Sequence, residues 1–320
     1  MDPSPTRRIT VHDDTFDEFS FLPVQAAEAG VPTPAAERLF TFTPDGRPLS
    51  ALRLGDGDPE FTLLHGAGLN AHTWDRTVLA LGRPALALDL PGHGDSGWRD
   101  DADYTGRTLA ADIAPAVAHW TQAPQVVVGQ SLGGLTATAL AAARPDLVRA
   151  LVIVDIAPGL DPGGAASQIR RFFAGPTTWA SRAEMVERAL SFGLGGDRAA
   201  AERGVYLNSR VRDDGRVEWK HHFARIANAL AADPAAAAAA SDRQDALASV
   251  LAASGWDDLA AVTAPITLVR GTRGYLTDAD VAAFGERVPA ARIVTVDSGH
   301  NVQEELPVDL ARIIRDAALA

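Results

Sequence analysis

The sequence predicts an α/β fold, a mostly parallel sheet flanked by helices and interrupted by an inserted all-helical segment. Three observations carry this. From Glu37 onward, short apolar or β-branched runs alternate with stretches of helical spacing, as in successive strand–helix–strand units. The alternation stops after Asp155, and residues 157–258 hold helical patterns but no strong strand candidate. Within the first half, the strand-like Gln125–Val128 runs through Gly129-Gln130-Ser131-Leu132-Gly133 into an Ala- and Leu-rich helix stopped at Arg144-Pro145.

Taken in order, residues 1–36 carry Pro, acids and a few aromatics and read as a loosely packed extension with one short helix near Val24–Ala29. Glu37–Thr43 and Leu49–Leu54 form a hairpin around Pro44-Asp45-Gly46-Arg47. Phe61–Leu64 is a buried strand leading into His65-Gly66-Ala67-Gly68, and Leu69–Leu81 is the first helical region. Ala85–Asp89 is the next strand. Leu109, Ile113, Ala116, Val117 and Trp120 then recur at helical spacing over Thr108–Trp120. Ala150–Asp155, Pro265–Arg270 and Arg292–Val296 complete the strands, and a last helix covers Val302–Leu319. The predicted organisation is an extension at 1–36, a core at 37–156 and 259–320, and a helical cap at 157–258.

Composition narrows the function. The 320 residues carry a formal charge of −12, which argues against nucleic acid or an anionic membrane surface as the main partner. With no cysteine, the chain has no disulfide scaffold, thiol nucleophile or cysteine-ligated metal. No apolar run approaches the ~20 residues of a membrane span, and the N-terminus leads into an acidic stretch rather than an apolar one. A cytoplasmic protein acting on a small molecule is expected; oligomeric state is not legible.

Ser131 is the candidate nucleophile. A serine on a sharp strand-to-helix turn has a strained backbone, and side chains two residues to either side would collide with neighbouring chain, so Gly129 and Gly133 suit it. The turn holds the hydroxyl at the sheet edge, beside N–H groups at a helix start. Its own pKa makes a serine a poor nucleophile, so a base is required, and His300 in the small-residue loop Asp297-Ser298-Gly299-His300 can reach back over the strand ends.

Four motifs in order, His65-Gly-Ala-Gly68, Asp89-Leu-Pro-Gly-His-Gly-Asp-Ser96, Gly129-Gln-Ser-Leu-Gly133 and Ser298-Gly-His300, resemble the α/β-hydrolase family. The resemblance implies an α/β-hydrolase fold whose insertion is a cap over the active site. It also implies that His65–Gly68 is an oxyanion loop, giving main-chain donors at Leu132 and Ala67, with Gly68 the alternative to Ala67. His65 reads as structural, and Asp89–Ser96 as a loop near the pocket whose turns His93 and Asp95 hold.

The triad acid departs from the family's commonest pattern. Many relatives carry it a few residues beyond a glycine such as Gly271, but Gly271-Thr-Arg-Gly-Tyr-Leu-Thr277 has no carboxylate before Asp278. Asp278 and Asp280 also sit where acids cap a helix start. Asp155 closes the strand after the nucleophile helix, where some family members place the acid and where such sheets keep their chemistry. Asp155 is preferred, with Asp278 the alternative.

The expected activity is cofactor-free hydrolysis of a carboxylic ester or lactone through Ser131, His300 and Asp155, by way of an acyl-enzyme. Carbon–carbon bond hydrolysis of diketone-like compounds and cofactor-free haloperoxidase activity are the alternatives within the same resemblance. Haloalkane dehalogenases and epoxide hydrolases fit less well, because they use aspartate at the position of Ser131. A ligand-binding homologue without turnover draws its support from the unusual Gly274-Tyr275 loop. His221-His222 and Asp213-Asp214 suggest a metal only superficially, since adjacent histidines point apart and no further ligand sits at useful spacing. Gly193–Gly196 follows no strand and is no dinucleotide fingerprint.

Overall fold

The computed structural model describes residues 17–159, 175–192, 197–226 and 255–319. A 3₁₀ turn at Glu18–Phe21 leads into α1 (Leu22–Ala29), then β1 (Ala36–Phe42), β2 (Pro48–Leu54), β3 (Phe61–Leu64), a 3₁₀ turn at Ala71–Trp74 and α2 (Asp75–Leu81). After them come β4 (Ala85–Asp89), α3 (Gly106–Trp120), β5 (Gln125–Gln130), α4 (Leu132–Ala143) and β6 (Val148–Val154). The inserted segment contributes α5 (Arg182–Ser191), α6 (Arg198–Asn208), β7 (Ser209–Val211) and β8 (Val217–Trp219). The chain ends with β9 (Ile266–Gly271), α7 (Asp278–Arg287), β10 (Arg292–Val296), α8 (Val302–Glu305) and α9 (Pro307–Ala317).

Eight strands form one sheet in the order β1-β2-β4-β3-β5-β6-β9-β10. Only the β1–β2 and β2–β4 pairings are antiparallel, so the sheet is mostly parallel as expected. Its central strands read as continuous apolar runs because helices cover both faces. Leu109, Ile113, Leu140 and Phe284 pack on one face; Trp74, Val78, Leu310, Ile313 and Ile314 pack on the other. Residues 310, 313, 314 and 317 of α9 are buried, a one-sided helical stripe. No helix among the described residues is long and apolar enough to cross a membrane.

Four expectations need correction. The insertion is not all-helical, because β7 and β8 form an antiparallel hairpin. Its loop, Arg212–Arg216, closes with Gly215 N donating to Arg212 O and has Gly215 at φ 76°, so Asp213-Asp214-Gly215 is a turn signal. The part of the extension from residue 17 is not loosely packed: Leu22 and Ala26 are buried in the core and Glu18 bonds Arg38. The last helix is broken at Leu306, whose φ/ψ of −131°/56° follows from the steric bar on helical backbone before a proline, here Pro307. In the Asp89–Ser96 loop, Asp89 organises the turn, accepting from Ala71 N at 2.8 Å and Asp95 N at 3.0 Å. His93 Nδ1 bonds Pro91 O, while the Asp95 side chain pairs with Arg38 and Lys220.

Within the insertion, Met185, Val186, Val205 and Trp219 form a small core of their own. Phe223 packs instead against His93 and Tyr104 of the main body. Parts of the predicted helical cap, residues 160–174, 193–196 and 227–254, lie outside the described residues, Gly193–Gly196 among them.

Candidate active site

The site is assembled at the carboxyl ends of β3, β5, β6 and β9. Ser131 has φ 52° and ψ −121° between the last residue of β5 and the first of α4, and its N–H donates to Val154 O at 3.1 Å. A Cβ on Gly129 or Gly133 would overlap the carbonyl of Gly133 or of Leu64, which accounts physically for both glycines. Asp155, one residue beyond β6, has φ 50°. Among the described residues only Ala102, Ser131 and Asp155 are non-glycine positions with positive φ. Two of those three lie here, and strain of this kind persists where surrounding structure enforces it.

Asp155 is fully buried, and His300 Nδ1 lies 2.7 Å from its Oδ2. A carboxylate only accepts, so the imidazole proton sits on Nδ1 and Nε2 is the nitrogen left able to take one. Asp155 also accepts from Gly271 N at 3.1 Å and Tyr275 N at 2.7 Å. The loop that carries no acid of its own therefore supplies N–H groups to an acid from β6. A Cβ at residue 274 would overlap that carboxylate, so Gly274 belongs to the same arrangement. The Tyr275 ring stacks on the His300 ring, centroids 3.5 Å apart and planes 11° from parallel. A glycine followed by an aromatic in a loop without acids was the available signal for this role.

Asp278 is elsewhere. Its side chain is 92% exposed and pairs with Arg270 at 2.5 Å, at the start of α7. Thr277 and Asp280 form a reciprocal capping box there.

The oxyanion candidates flank Ser131. Leu132 opens α4, and Ser131 makes no side-chain capping bond that would occupy the helix start. On the other side, a Cβ built on Gly66 would fall 3.1 Å from Ser131 Cβ, which brings the His65–Gly68 loop against the serine. Gln130 Nε2 donates to His300 O at 3.2 Å, tying the neighbour of Ser131 to the histidine loop. His65 is fully buried, with Nδ1 2.8 Å from Gly66 O and Nε2 accepting from Leu90 N at 3.0 Å. Burial lowers its pKa, so it stays neutral, with both nitrogens spoken for by backbone.

The residues that hinted at a metal fall apart. His222 Nδ1 is 2.8 Å from the Tyr104 hydroxyl, and the buried His221 stacks on Trp219. Asp213 and Asp214 occupy the hairpin loop. Among the described residues no group of three or more His, Asp and Glu side chains could hold a metal ion.

The profile of the alpha/beta hydrolase family matches residues 63–313. The chain belongs to the alpha/beta hydrolase family. Esterase Rv0045c of Mycobacterium tuberculosis is 37% identical over 309 residues, covering 93% of this chain and 95% of that protein. Lipase LipV of the same organism is 27% identical over 277 residues, 83% of this chain and 96% of its own length. A solved structure of the M. tuberculosis esterase Rv0045c has a TM-score of 0.77 at 34% identity, covering 96% of this chain and all of that one. This family member is thus a hydrolase in fold and descent.

Proposed function

We propose that this hydrolase cleaves small carboxylic esters or lactones through an acyl-enzyme on Ser131, in the cytoplasm, where a cysteine-free chain is at home. The observation that carries the proposal is the strained Ser131 turn, bonded through its neighbour Gln130 to the loop of a histidine whose Nδ1 is held 2.7 Å from a buried carboxylate. The relatedness to esterase Rv0045c favours an ester as the bond.

The geometry is consistent with the following sequence of steps. His300 Nε2 takes the proton as Ser131 Oγ bonds to the carbonyl carbon, and the carbonyl π pair moves onto oxygen. The Leu132 and Ala67 N–H groups receive that oxyanion, fixed dipoles that need no reorganisation at the moment of reaction. His300 then protonates the leaving alkoxide as the C–O bond breaks. Water, deprotonated by the same nitrogen, attacks the acyl-enzyme, and collapse of the second oxyanion returns the proton to Ser131. Asp155 holds the Nδ1–H tautomer and stabilises the imidazolium without taking its proton.

A fluorophosphonate probe tests this with mass spectrometry of the adduct. One label on Ser131, and a Ser131→Ala variant that is folded but at least ~10³-fold slower on p-nitrophenyl esters, is the expected result. Wild-type turnover by Ser131→Ala would overturn it.

A further inference from the structure

The inserted segment reaches into the core at one point on which the proposed chemistry depends. Asn208, at the end of α6, is 9% exposed, and its Nδ2 donates to Gly68 O at 2.5 Å. In return Asn70, 7% exposed, donates through Nδ2 to Leu207 O at 3.1 Å. Each side thus offers a buried amide to the other's backbone. Both asparagines are held in place: Asn70 Oδ1 accepts from His72 N at 3.0 Å, and Asn208 O accepts from Lys220 N at 2.8 Å.

The bond to Gly68 O acts at a distance because peptide units are planar. Gly68 O and Leu69 N–H belong to one peptide, and Leu69 N donates to Gly66 O at 3.2 Å. Gly66 O and Ala67 N–H belong to the next plane in this relay, with the N–H pointing opposite to the carbonyl in a trans peptide. Fixing the Gly68 carbonyl therefore orients Leu69 N–H, which fixes the Gly66 carbonyl, which aims Ala67 N–H. His65 Nδ1 supports the same carbonyl at 2.8 Å. A loop with glycines at 66 and 68 has little rigidity of its own, so these external bonds set its shape.

We infer that Asn208 is a positioning residue for the oxyanion loop, so that docking of the inserted segment completes the hole in the core. This rests on the proposed role of the Ala67 N–H. The carbonyl of Gly68 only accepts, so the Asn208 amide must present nitrogen to it, and aspartate at this position has no donor to offer. The effect belongs to the transition state, since the oxyanion forms after substrate binds.

The test uses the full chain with p-nitrophenyl esters and an aryl trifluoromethyl ketone, which forms a tetrahedral oxyanion on a nucleophilic serine. Asn208→Ala is expected to lower kcat by about 10- to 100-fold, below the ~10²–10³ for removing an oxyanion donor outright, with KM within about threefold. The ketone's inhibition constant is expected to rise by about the same factor as kcat/KM falls. Asn208→Gln, which retains an amide donor, should recover part of kcat. If Asn208→Ala fails to fold, Asn208→Asp at unchanged size carries the same prediction. A folded variant with wild-type kcat, or a loss confined to KM, overturns the inference. Ser131→Ala runs alongside: if it keeps turnover the proposed function fails and this inference with it, whereas a dead Ser131→Ala beside a normal Asn208 variant removes the clamp alone.

Discussion

His72 Nδ1 lies 3.1 Å from Asp75 Oδ2 and its Nε2 3.3 Å from Glu18 Oε2, while His300 Nδ1 lies 2.7 Å from Asp155 Oδ2 and its Nε2 makes no hydrogen bond among the described residues. The same pair of groups thus serves two ends in two regions. Both nitrogens of His72 face carboxylates, so both must donate and the ring is held as the cation. Burial alone would lower its pKa, but Asp75 and Glu18 outweigh burial and raise it to about 9. Such a ring cannot act as a base near neutral pH. His300 has one nitrogen fixed and one open, which is what a general base needs.

The surroundings differ in the same sense. The His72 region is a closed network of charges: Arg38 bonds Glu18 at 2.6 Å and Asp89 at 2.6 Å, and Asp89 is fully buried. Burial opposes ionisation of Asp89, yet Arg38 and the Ala71 and Asp95 N–H groups hold its pKa down at about 2. Glu18 is likewise held below the usual carboxylate range, by His72 and Arg38 against its burial. Around His300 the acid is satisfied by backbone N–H groups, and one imidazole face is covered by an aromatic ring. One region stabilises the fold; the other leaves a proton acceptor free.

The sharpest way to break the comparison is to exchange consequences. Asp155→Asn is expected to cost up to ~10⁴ in kcat while the protein stays folded by circular dichroism, because the tautomer is lost and the geometry is not. Asp278→Asn should leave kcat near wild type. If Asp278→Asn is the crippled variant, the assignment of the acid is wrong.

His72→Leu should do the converse. Removing one partner of a buried charge cluster is expected to cost about 3–5 kcal/mol in urea unfolding, with kcat per folded molecule unchanged. Its pH signature has a definite sign. The folded pKa of about 9 lies above the ~6.5 of an unfolded histidine, so the His72 contribution is whole below pH ~6.5 and is lost as pH rises through about 9, on the order of 3 kcal/mol. Burial lowers the pKa of His65 and His93, and of His221 to about 3. Unfolded chains take up protons there that the folded chain refuses, so stability also falls below pH ~6.5. Urea midpoints across pH 5–9.5 should therefore peak near neutrality, and His72→Leu should flatten the alkaline decline alone.

Two smaller effects sharpen the His300 side. In Gly274→Ala the new methyl must displace the Asp155 carboxylate, and a shift of that size is expected to lower kcat about 10²-fold. Tyr275→Ala removes the stacked ring and leaves the backbone donor, so a loss of about tenfold in kcat is expected, with Tyr275→Phe close to wild type. Equal kinetics for Tyr275→Ala and wild type would show that the ring does not position His300.

Much of the fold was legible because its determinants are local. Runs such as Val126-Val127-Val128 specify buried strands through β-branched burial, and Leu109, Ile113 and Val117 specify a helix through spacing. The Ser131 turn was legible in part for the same reason, since Gly129 answers a clash with the Gly133 carbonyl four residues on, whereas Gly133 answers the carbonyl of Leu64 on the neighbouring strand β3. The hairpin at 209–219 escaped notice because its strands have only three residues each, too short for a periodic signal beside a long helical pattern.

What only the tertiary structure decided involves groups far apart in sequence. Asp155 and Asp278 were both acceptable acids by position. The fold sets one of them, Asp155, against a histidine 145 residues away across the strand ends. The composition of Gly271–Thr277 looked like a defect until the fold set its N–H groups on Asp155. Likewise no pattern marks His72 as a cation or links Asn208 to Gly68, 140 residues apart. Short-range sterics and hydrophobic spacing are written in neighbouring residues. Hydrogen bonds and charge pairs between distant segments depend on directions and distances that exist only once the sheet has brought those segments together.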